Sequence, residues 1–321
     1  MKIYTDISQF TPLKKAVVTI GTFDGVHIGH QELLRKLRES AKGIGAETVI
    51  LTFFPHPRMI IHPEDQGIRL INTVKEKTEL LEAIGIDHLI ITPFTRDFSN
   101  LSPEEYIEEI LVKRIGTSKI SIGYDHRFGK NRAGSLADLN KLATKFGYEV
   151  EVIPEQDIQQ AAVSSTRIRQ ALLTGDIASA TELLGHTFSL EGRVIRGDQI
   201  GRTLGYPTAN LYVEEPYKLI PADGIYSAYT YVEGIKYEGM AYIGHRPTVN
   251  GMSRNIEVNI FTSSRKGMIP GSLTNTTDIP YGRETPWVYQ AGQLFGRSWK
   301  NIPPLHLIFQ DHVTMTCIAE Q

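Results

Sequence analysis

The chain has 321 residues, with 34 basic and 36 acidic side chains and a formal net charge of −2 at pH 7. This length predicts two domains with separate cores, and the near-neutral charge gives no electrostatic reason to expect a nucleic-acid partner. A single cysteine, Cys317, excludes an intrachain disulfide and a cysteine metal cluster. Because we find neither a signal-peptide pattern nor an apolar run of membrane-spanning length, we expect a cytoplasmic protein without a membrane partner.

The first half of the chain alternates short apolar runs with amphipathic segments. The apolar runs predict buried parallel strands at 16–20, 48–53, 87–92, 119–123 and 149–153. The amphipathic segments predict helices at 31–42, 73–84, 103–114 and 135–147. This βαβ series predicts an α/β domain with a doubly wound, Rossmann-like parallel sheet, in which ligands bind beyond the carboxyl ends of the strands.

The ten residues after the first predicted strand, Gly21 to His30, read GTFDGVHIGH. The glycines permit a close approach of phosphate oxygens to backbone N–H groups. Leucine spacing from Gln31 onward predicts a helix that begins near His30, and a helix N-terminus favours an anion. His27 and His30 lie three residues apart and can both turn toward that anion. The alternative is a capping turn with two solvated histidines.

Three further segments of the first half carry candidate binding residues. After the second strand, prolines fix a turn whose aromatic neighbours can face a flat ring, or else form a buried aromatic pair; the residues are Phe54, Pro55, His56 and Pro57. Residues 123–129 read GYDHRFG and end the fourth strand. Residues 163–169 read VSSTRIR, in which hydroxyls and arginines at a helix start can clamp a triphosphate. For this last segment the alternative is a Ser/Thr cap beside a surface cation.

From about residue 186 the pattern changes to short β runs separated by glycine and proline turns, which predicts a small antiparallel barrel. The runs are 188–195, 225–232, 237–243 and 256–261, and helical patterns at 166–173 and 178–184 precede them. Residues 201–210 read GRTLGYPTAN, a glycine loop that can admit ATP phosphates. Thr208 and Asn210 would share one face of an extended chain and offer oxygen ligands suited to magnesium. A tight β-turn with polar surface residues is the alternative.

These motifs carry a family resemblance. The HxGH after the first strand is similar to the nucleotidylyltransferase superfamily, and the whole GTFDGVHIGH resembles the bacterial bifunctional riboflavin kinase/FAD synthetase family. GYDHRFG resembles that family's GxDFxFG, with His126 in place of the usual aromatic residue, and GRTLGYPTAN is close to its riboflavin kinase signature. The resemblance covers roughly residues 12–261. It implies an enzyme that phosphorylates riboflavin to FMN with ATP and Mg²⁺, and adenylylates FMN to FAD with release of pyrophosphate.

The resemblance also implies domains and residue roles. The FAD synthetase (FMN adenylyltransferase) domain would span 1–183 and the riboflavin kinase barrel 184–261. The catalytic residues would be His27, His30, Arg169 and Glu257. ATP and phosphate binding is expected from Gly21, Phe23, Asp24, Gly29, Asp125, Ser165, Thr166, Gly201 and Thr203. Flavin binding is expected from Phe54, Pro55, His56, Pro57 and Phe128, with a pocket shaped by 94–98 and 101–103. Mg²⁺ would be held by Thr208 and Asn210.

Glu257 matches the family's general base, which takes the proton from the 5′-hydroxyl of riboflavin; an exposed strand carboxylate is the alternative. After Phe261 the resemblance ends. Residues 262–321 are rich in glycine, proline, serine and threonine and show little periodicity. We expect this tail to be out of frame or otherwise replaced, to pack poorly, and to leave the barrel without a strand and its covering helix.

Two other functions remain open at this point. One is an adenylyl- or cytidylyltransferase for another phosphorylated metabolite, because HxGH is widely shared. The other is a non-catalytic flavin-binding protein. In each case we expect small-molecule partners and a monomer or a weak homo-oligomer.

Overall fold

The computed structural model describes residues 1–62, 67–123, 127–130, 133–153, 163–196, 208–232, 235–248, 251–260, 304–310 and 312–317. The chain divides into two compact units, Met1–Ser165 and Thr166–Gln321. Among the helices within these described ranges, none is both long enough and apolar enough to span a membrane.

The first unit is built on a six-stranded parallel sheet. Its strands β1 to β6 are Lys2–Tyr4, Ala16–Ile20, Glu47–Phe53, His88–Thr92, Thr117–Gly123 and Glu149–Ile153. Their order across the sheet is β1-β4-β3-β2-β5-β6. From β2 in the middle of the sheet, the chain moves outward through β3 and β4 and then returns to the other side of β2 with β5. Open α/β sheets bind ligands where the strand order reverses in this way. The predicted doubly wound sheet is confirmed, with β1 as an additional edge strand.

Helices connect these strands. They are α1 (Ile28–Ile44), α2 (Pro57–Ile61), α3 (Val74–Ile84), α4 (Arg96–Ser99), α5 (Pro103–Glu105) and α6 (Leu136–Phe146), with a 3₁₀ turn at Ile7–Gln9. Helix α5 continues as a π-helical segment, Tyr106–Ile115. The chain begins α3 with a capping box in which Thr73 and Glu76 exchange side-chain to backbone hydrogen bonds, and this fixes the first turn of the helix.

The residues of β2 alternate between two hydrophobic cores. Ala16, Val18 and Ile20 belong to a core that also contains residues of the π-helical segment, whereas Val17 packs with residues of α1 and α3. Because successive side chains of a strand point to opposite faces, this alternation requires helices on both faces of the sheet. The strand is buried along its whole length.

The second unit contains two helices and a barrel. The helices are α7 (Ser165–Thr174), which starts at the last residue of the first unit, and α8 (Ile177–Leu184). The strands β7 to β13 are Phe188–Ile195, Ala209–Tyr212, Gly224–Val232, Ile235–Thr248, Gly251–Ile260, Pro304–Gln310 and His312–Cys317. They close in the order β10-β11-β8-β7-β13-β12-β9. The predicted small barrel is confirmed. The predicted domain boundary at 183/184 stays a prediction, and α8 and all of α7 except Ser165 belong to the second compact unit.

The tail of the chain contributes two of these strands. Strand β13 pairs antiparallel with β7, and β12 pairs antiparallel with β13. The expectation that the tail leaves the barrel without its last strand is therefore wrong. The sequences PLHLIFQ and HVTMTC are short apolar and β-branched runs with strand character, which the surrounding glycine- and proline-rich sequence obscures. The origin of the tail stays a prediction, which an intact family-like ending in another reading frame of the coding DNA would support.

Candidate active sites

The loop between β2 and α1 has a strained backbone. Phe23, Gly25 and Val26 have φ angles of 47°, 90° and 39°. Left-handed φ is uncommon for phenylalanine and costly for a β-branched valine, and such strain persists only where packing enforces it. Phe23 and Val26 are both buried in the core beneath α1. Packing of these two side chains therefore fixes the loop at the carboxyl end of β2.

The two histidines of this loop are held in place. His27 is the N-cap of α1, and its Nδ1 accepts a hydrogen bond from the backbone N–H of His30 at 3.4 Å. The two imidazole rings stack with centroids 3.7 Å apart and planes inclined by 16°. His27 is only 6% exposed, and Nδ1 of His30 is buried without a hydrogen-bond partner within the described part of the chain. The alternative of two solvated histidines is wrong, because packing and not solvent surrounds His27.

The electrostatic environment keeps His30 neutral. Burial lowers the pKa of His30 well below its usual value, and the neighbouring His27 and Lys77 lower it further. Lys77 lies on α3 and is 7% exposed. Its own burial lowers the pKa of Lys77 to about 8, against the attraction of the Asp24 carboxylate. At pH 7 the site therefore combines a neutral imidazole with a buried ammonium group. Lys77 is not among the site residues predicted from the sequence.

Asp24 and Ser165 fasten the loop to its surroundings. The Asp24 carboxylate accepts hydrogen bonds from the backbone N–H groups of Ile71 at 2.9 Å and Asn72 at 3.3 Å. The carbonyl oxygen of Asp24 accepts one from the Ser165 hydroxyl at 2.9 Å. Ser165 therefore contacts the HxGH loop, and the Asp24 carboxylate supports that loop from within; the roles of both residues at phosphate stay predictions.

The glycines predicted to face phosphate lie at the two ends of the loop. The N–H of Gly21 donates to the carbonyl of Leu51 at 3.1 Å and extends the pairing of β2 with β3. A Cβ at Gly21 would lie 3.0 Å from the Phe23 ring. Gly29 is buried in the first turn of α1. A side chain at Gly21 would therefore press against the Phe23 ring.

An aromatic cluster lies in the core on the π-helical side of the sheet. Its ring centroids are 5.3 to 5.9 Å apart from neighbour to neighbour. The members are Phe53, Phe94, Phe98, Tyr106 and Phe128. Tyr106 is buried, its hydroxyl has no hydrogen-bond partner among the described residues, and burial raises the pKa of Tyr106. Of the predicted flavin residues, Phe128 therefore joins an aromatic cluster together with side chains near 94–98.

The other predicted flavin residues form the turn after β3. Phe54 packs with the core on the opposite face from Phe53. The Phe54–Pro55 peptide bond is cis. His56 caps α2 by accepting a hydrogen bond on Nδ1 from the N–H of Arg58 at 3.2 Å, and Pro57 begins that helix. This turn closes the second strand as predicted, and its contact with flavin stays a prediction.

The roles of five predicted phosphate-site residues stay predictions. Thr166 and Arg169 lie in the first turns of α7; Thr166 is exposed and Arg169 is half-buried. Their role at phosphate stays a prediction. Asp125, Gly201 and Thr203 lie outside the described residues.

Three predicted residues meet on the barrel. Glu257 of β11 stands opposite Asn210 of β8 in the strand register. The Thr208 hydroxyl donates to Oε2 of Glu257 at 3.0 Å. Glu257 is 5% exposed, so the alternative of an exposed strand carboxylate is wrong. A buried carboxylate held by a threonine hydroxyl beside an amide side chain is suited to accept a proton from a bound hydroxyl group.

A second polar cluster of the barrel was not predicted as a site. Asp223 accepts hydrogen bonds from His245 Nδ1 at 2.7 Å and from Arg254 Nε at 2.9 Å. His245 and Arg254 are cross-strand neighbours on β10 and β11. Arg254 also donates to the carbonyl of Pro221. The cluster ties the loop before β9 to the hairpin that carries Glu257.

The first unit places an HxGH motif at a helix N-terminus, at the reversal point of a parallel sheet. The second unit is a closed barrel with a Thr-x-Asn sequence against a buried glutamate. Together they define a nucleotidylyltransferase domain joined to a flavokinase barrel. The FAD synthetase family model matches residues 10–167 and the riboflavin kinase family model matches residues 184–278. The chain belongs to the family of bifunctional riboflavin kinases/FMN adenylyltransferases.

Curated relatives support the same assignment over most of the chain. The bifunctional riboflavin kinase/FMN adenylyltransferase of Listeria monocytogenes is 35% identical over 259 residues, which are 80% of this chain and 81% of the relative. That of Escherichia coli is 35% identical over 263 residues, 81% and 83% of the two chains. The enzyme of the same name from Haemophilus influenzae is 35% identical over 254 residues, which are 79% of this chain and 82% of the relative. Both matched domains are catalytic, so the chain is grouped with transferases of flavin nucleotide biosynthesis.

One solved structure has a similar fold. It is described as a macrolide-efflux protein from Streptococcus pneumoniae and superposes with a TM-score of 0.75 at 26% identity, covering 99% of this chain and 90% of the other. The riboflavin kinase match continues to residue 278, so the expectation that the resemblance ends after Phe261 is wrong.

Proposed function

We propose that this chain catalyses two successive reactions. The barrel transfers the terminal phosphoryl group of ATP to the 5′-hydroxyl of riboflavin and produces FMN and ADP. The first unit transfers AMP from a second ATP to FMN and produces FAD and pyrophosphate. The observation that carries the proposal is the presence in one chain of the stacked histidine pair at the start of α1 and the buried Thr208–Glu257 pair of the barrel.

Adenylyl transfer needs no protein nucleophile. A phosphate oxygen of FMN attacks the α-phosphorus of ATP, and the bond to pyrophosphate breaks. His27 and His30 would donate hydrogen bonds to phosphate oxygens, and the N-terminus of α1 adds its partial positive charge. Ser165 is held at the same loop. We propose that Thr166 and Arg169 follow it to the leaving pyrophosphate, where a guanidinium stabilises the transferred charge.

The flavin ring of FMN needs an apolar, partly aromatic pocket near this loop. The aromatic cluster of Phe53, Phe94, Phe98, Tyr106 and Phe128 supports such a pocket on the π-helical side of the sheet. A buried tyrosine hydroxyl without a partner is costly in a closed core. We propose that Tyr106 donates to a flavin oxygen or nitrogen, and that Phe54, Pro55, His56 and Pro57 form the rim of the pocket.

In the barrel, Glu257 would act as the general base. Its carboxylate takes the proton from the 5′-hydroxyl of riboflavin as the oxygen attacks the terminal phosphorus of ATP. The hydrogen bond from Thr208 holds one carboxylate oxygen in position. Gly201 and Thr203 are proposed to bind the ATP phosphates.

The donor set beside Glu257 fits magnesium. The hydroxyl of Thr208 and the side-chain carbonyl of Asn210 are oxygen donors of the kind that Mg²⁺ prefers, and the strand register places Asn210 opposite Glu257. A bound Mg²⁺ would supply positive charge to the phosphates of ATP. We also propose, from the sequence alone, that the enzyme acts on small molecules in the cytoplasm as a monomer or weak homo-oligomer.

The test is a flavin conversion assay with two arms. The purified chain is incubated with ATP and Mg²⁺ and either riboflavin or FMN, and the flavins are separated by chromatography. FAD formed from riboflavin supports both activities, and conversion of FMN alone would overturn the kinase proposal. Flavin binding without conversion in either arm would favour a binding protein. Adenylylation of phosphopantetheine in preference to FMN would favour a transferase for another metabolite.

A further inference from the structure

Lys77 is a buried cation at the carboxyl ends of β2 and β3. Its Nζ donates hydrogen bonds to the carbonyl oxygen of Thr22 at 3.1 Å and to the hydroxyl of Thr52 at 3.3 Å. Thr22 belongs to the HxGH loop, and Thr52 lies near the end of β3. The lysine side chain is 7% exposed. From the sequence, Lys77 would be expected on the exposed, polar face of α3.

The contacts of Lys77 leave its charge uncompensated at short range. An ammonium group has three N–H donors, and the acceptors supplied by the described residues take two of them, both uncharged. No described carboxylate lies within ion-pair distance of Nζ, and Asp24 attracts the charge from further away. A buried charge without an opposite partner is expensive. Such costs are characteristic of functional sites, where a ligand supplies the missing partner.

The position of Lys77 indicates which ligand this is. Lys77 is close enough to His30 to disfavour a positive charge on that imidazole. His30 in turn stacks on His27 at the N-terminus of α1. The ammonium, the neutral histidines and the helix N-terminus thus surround one region, and all of them favour an anion with several acceptor oxygens.

We propose that Lys77 is a phosphate-binding residue of the adenylyl-transfer site, whose ammonium group binds an oxygen of the nucleotide phosphates that become pyrophosphate. This inference rests on the proposed function of the first unit. It gives Lys77 a positive charge at the phosphates and leaves His27 and His30 as neutral hydrogen-bond donors. The competing explanation is a purely structural tie between the ends of β2 and β3.

The reverse reaction isolates this phosphate site from the ATP site of the barrel. FAD and inorganic pyrophosphate are converted to FMN and ATP, and KM is measured separately for each substrate. We expect K77M to raise the KM for pyrophosphate by about tenfold or more, which is the effect of one lost charged contact, with the KM for FAD nearly unchanged. K77R should recover most of the affinity, because it restores the charge. K75M, which changes an exposed lysine of the same helix, is the matched control.

Riboflavin kinase activity, measured for each variant, shows that the barrel is intact, and an unchanged KM for FAD shows that the first unit is folded. An unchanged KM for pyrophosphate in K77M together with a lower melting temperature would overturn the proposal in favour of the structural tie. A wild-type chain without the reverse reaction, or full activity in H30N, would instead contradict the proposed function of the first unit.

Calorimetry gives a readout that does not depend on catalysis or on the folding of K77M. Pyrophosphate is titrated into the wild-type chain and K77R at pH 8 in two buffers of different ionisation enthalpy. If Lys77 binds the anion, the wild-type chain takes up more protons than K77R, because the anion favours the charged lysine. Equal proton uptake by the two proteins would overturn the proposal.

Discussion

The imidazole rings of His27 and His30 stack at 3.7 Å between centroids, with their planes inclined by 16°. Two protonated rings at this distance would repel each other strongly, so the stack favours a state with at least one neutral imidazole. Lys77 strengthens this preference by placing its ammonium near the pair. Hydrogen bonding and positive charge at the phosphate site are thereby divided between different side chains.

Acid should destabilise the first unit through His30. In the folded state its pKa lies well below the value of about 6.5 in the unfolded chain. Between these two values the unfolded state binds more protons, so the free energy of unfolding falls as the pH drops below about 6.5. The free energy of unfolding should fall between pH 7 and pH 5 in both proteins. We expect this fall to be smaller in H30N than in the wild type, by up to about 2 kcal/mol. Urea unfolding of both proteins at the two pH values measures this, and equal losses would contradict it.

Lys77 should affect stability at the alkaline end. Its pKa is about 8 in the folded state, compared with about 10.4 in an unfolded chain. Over this interval the unfolded state binds more protons, so the wild type should gain up to about 3 kcal/mol of stability as the pH rises from 8 toward 10. K77M lacks this group, should be at least as stable as the wild type at pH 7, and should not share the gain. If the free energy of unfolding changed with pH in the same way in both proteins, the buried charge of Lys77 would not destabilise the folded state.

The sequence predicts the HxGH site well because its signals are local. A valine-rich strand, a glycine turn and a leucine-spaced helix follow one another within 16–44, and the structure contains all three. Lys77 could not be found in this way. Its segment, VKEKTELLEAI, has an ordinary polar pattern, and the lysine becomes buried only because α3 packs beside the ends of β2 and β3.

Two other features depend on long-range pairing. Thr208 and Glu257 are 49 residues apart in the chain, and the pairing of β8 with β11 brings them into contact. The sequence supports each residue separately through the family resemblance but not their distance. Likewise, the sequence does not distinguish Phe53 from Phe54, but they pack into different cores because successive side chains of a strand point to opposite faces. Which one faces an aromatic pocket depends on the elements that cover each face of the sheet.

Two glycines should respond in opposite directions to alanine. A Cβ at Gly239 of β10 would overlap the carbonyl oxygen of Asn259 on β11, whereas a Cβ at Gly43 of α1 meets no heavy atom within 4 Å. We expect G239A to destabilise the barrel by more than about 2 kcal/mol, because the two strands must separate. G43A should stabilise the first unit by about 0.5–1 kcal/mol, because alanine is the better helix residue. Thermal unfolding followed through the two activities measures both effects, and a neutral G239A would contradict the close strand approach.

Removal of residues 304–321 should abolish kinase activity alone. This truncation deletes β12 and β13, which close the barrel between β7 and β9, and it exposes the edges of those two strands. We expect the shortened chain to convert FMN to FAD but not riboflavin to FMN. A control that lacks only 318–321 should retain both activities. Full kinase activity in the shorter chain would show that the tail strands are dispensable.

Glu257 is the most direct test of the barrel site. Glutamine at this position can still accept the hydrogen bond that Thr208 donates at 3.0 Å to the native carboxylate, but it cannot take a proton. We therefore expect E257Q to lower the kcat of riboflavin phosphorylation by about 100-fold or more, with little change in the KM for riboflavin or in melting temperature. FMN adenylylation, measured in the same preparation, should be unaffected. E238Q, at an exposed position of β10, is the matched control and should retain full kinase activity. An E257Q protein with wild-type kcat would reduce Glu257 to a structural partner of Thr208, and the general base of the kinase would have to be another group.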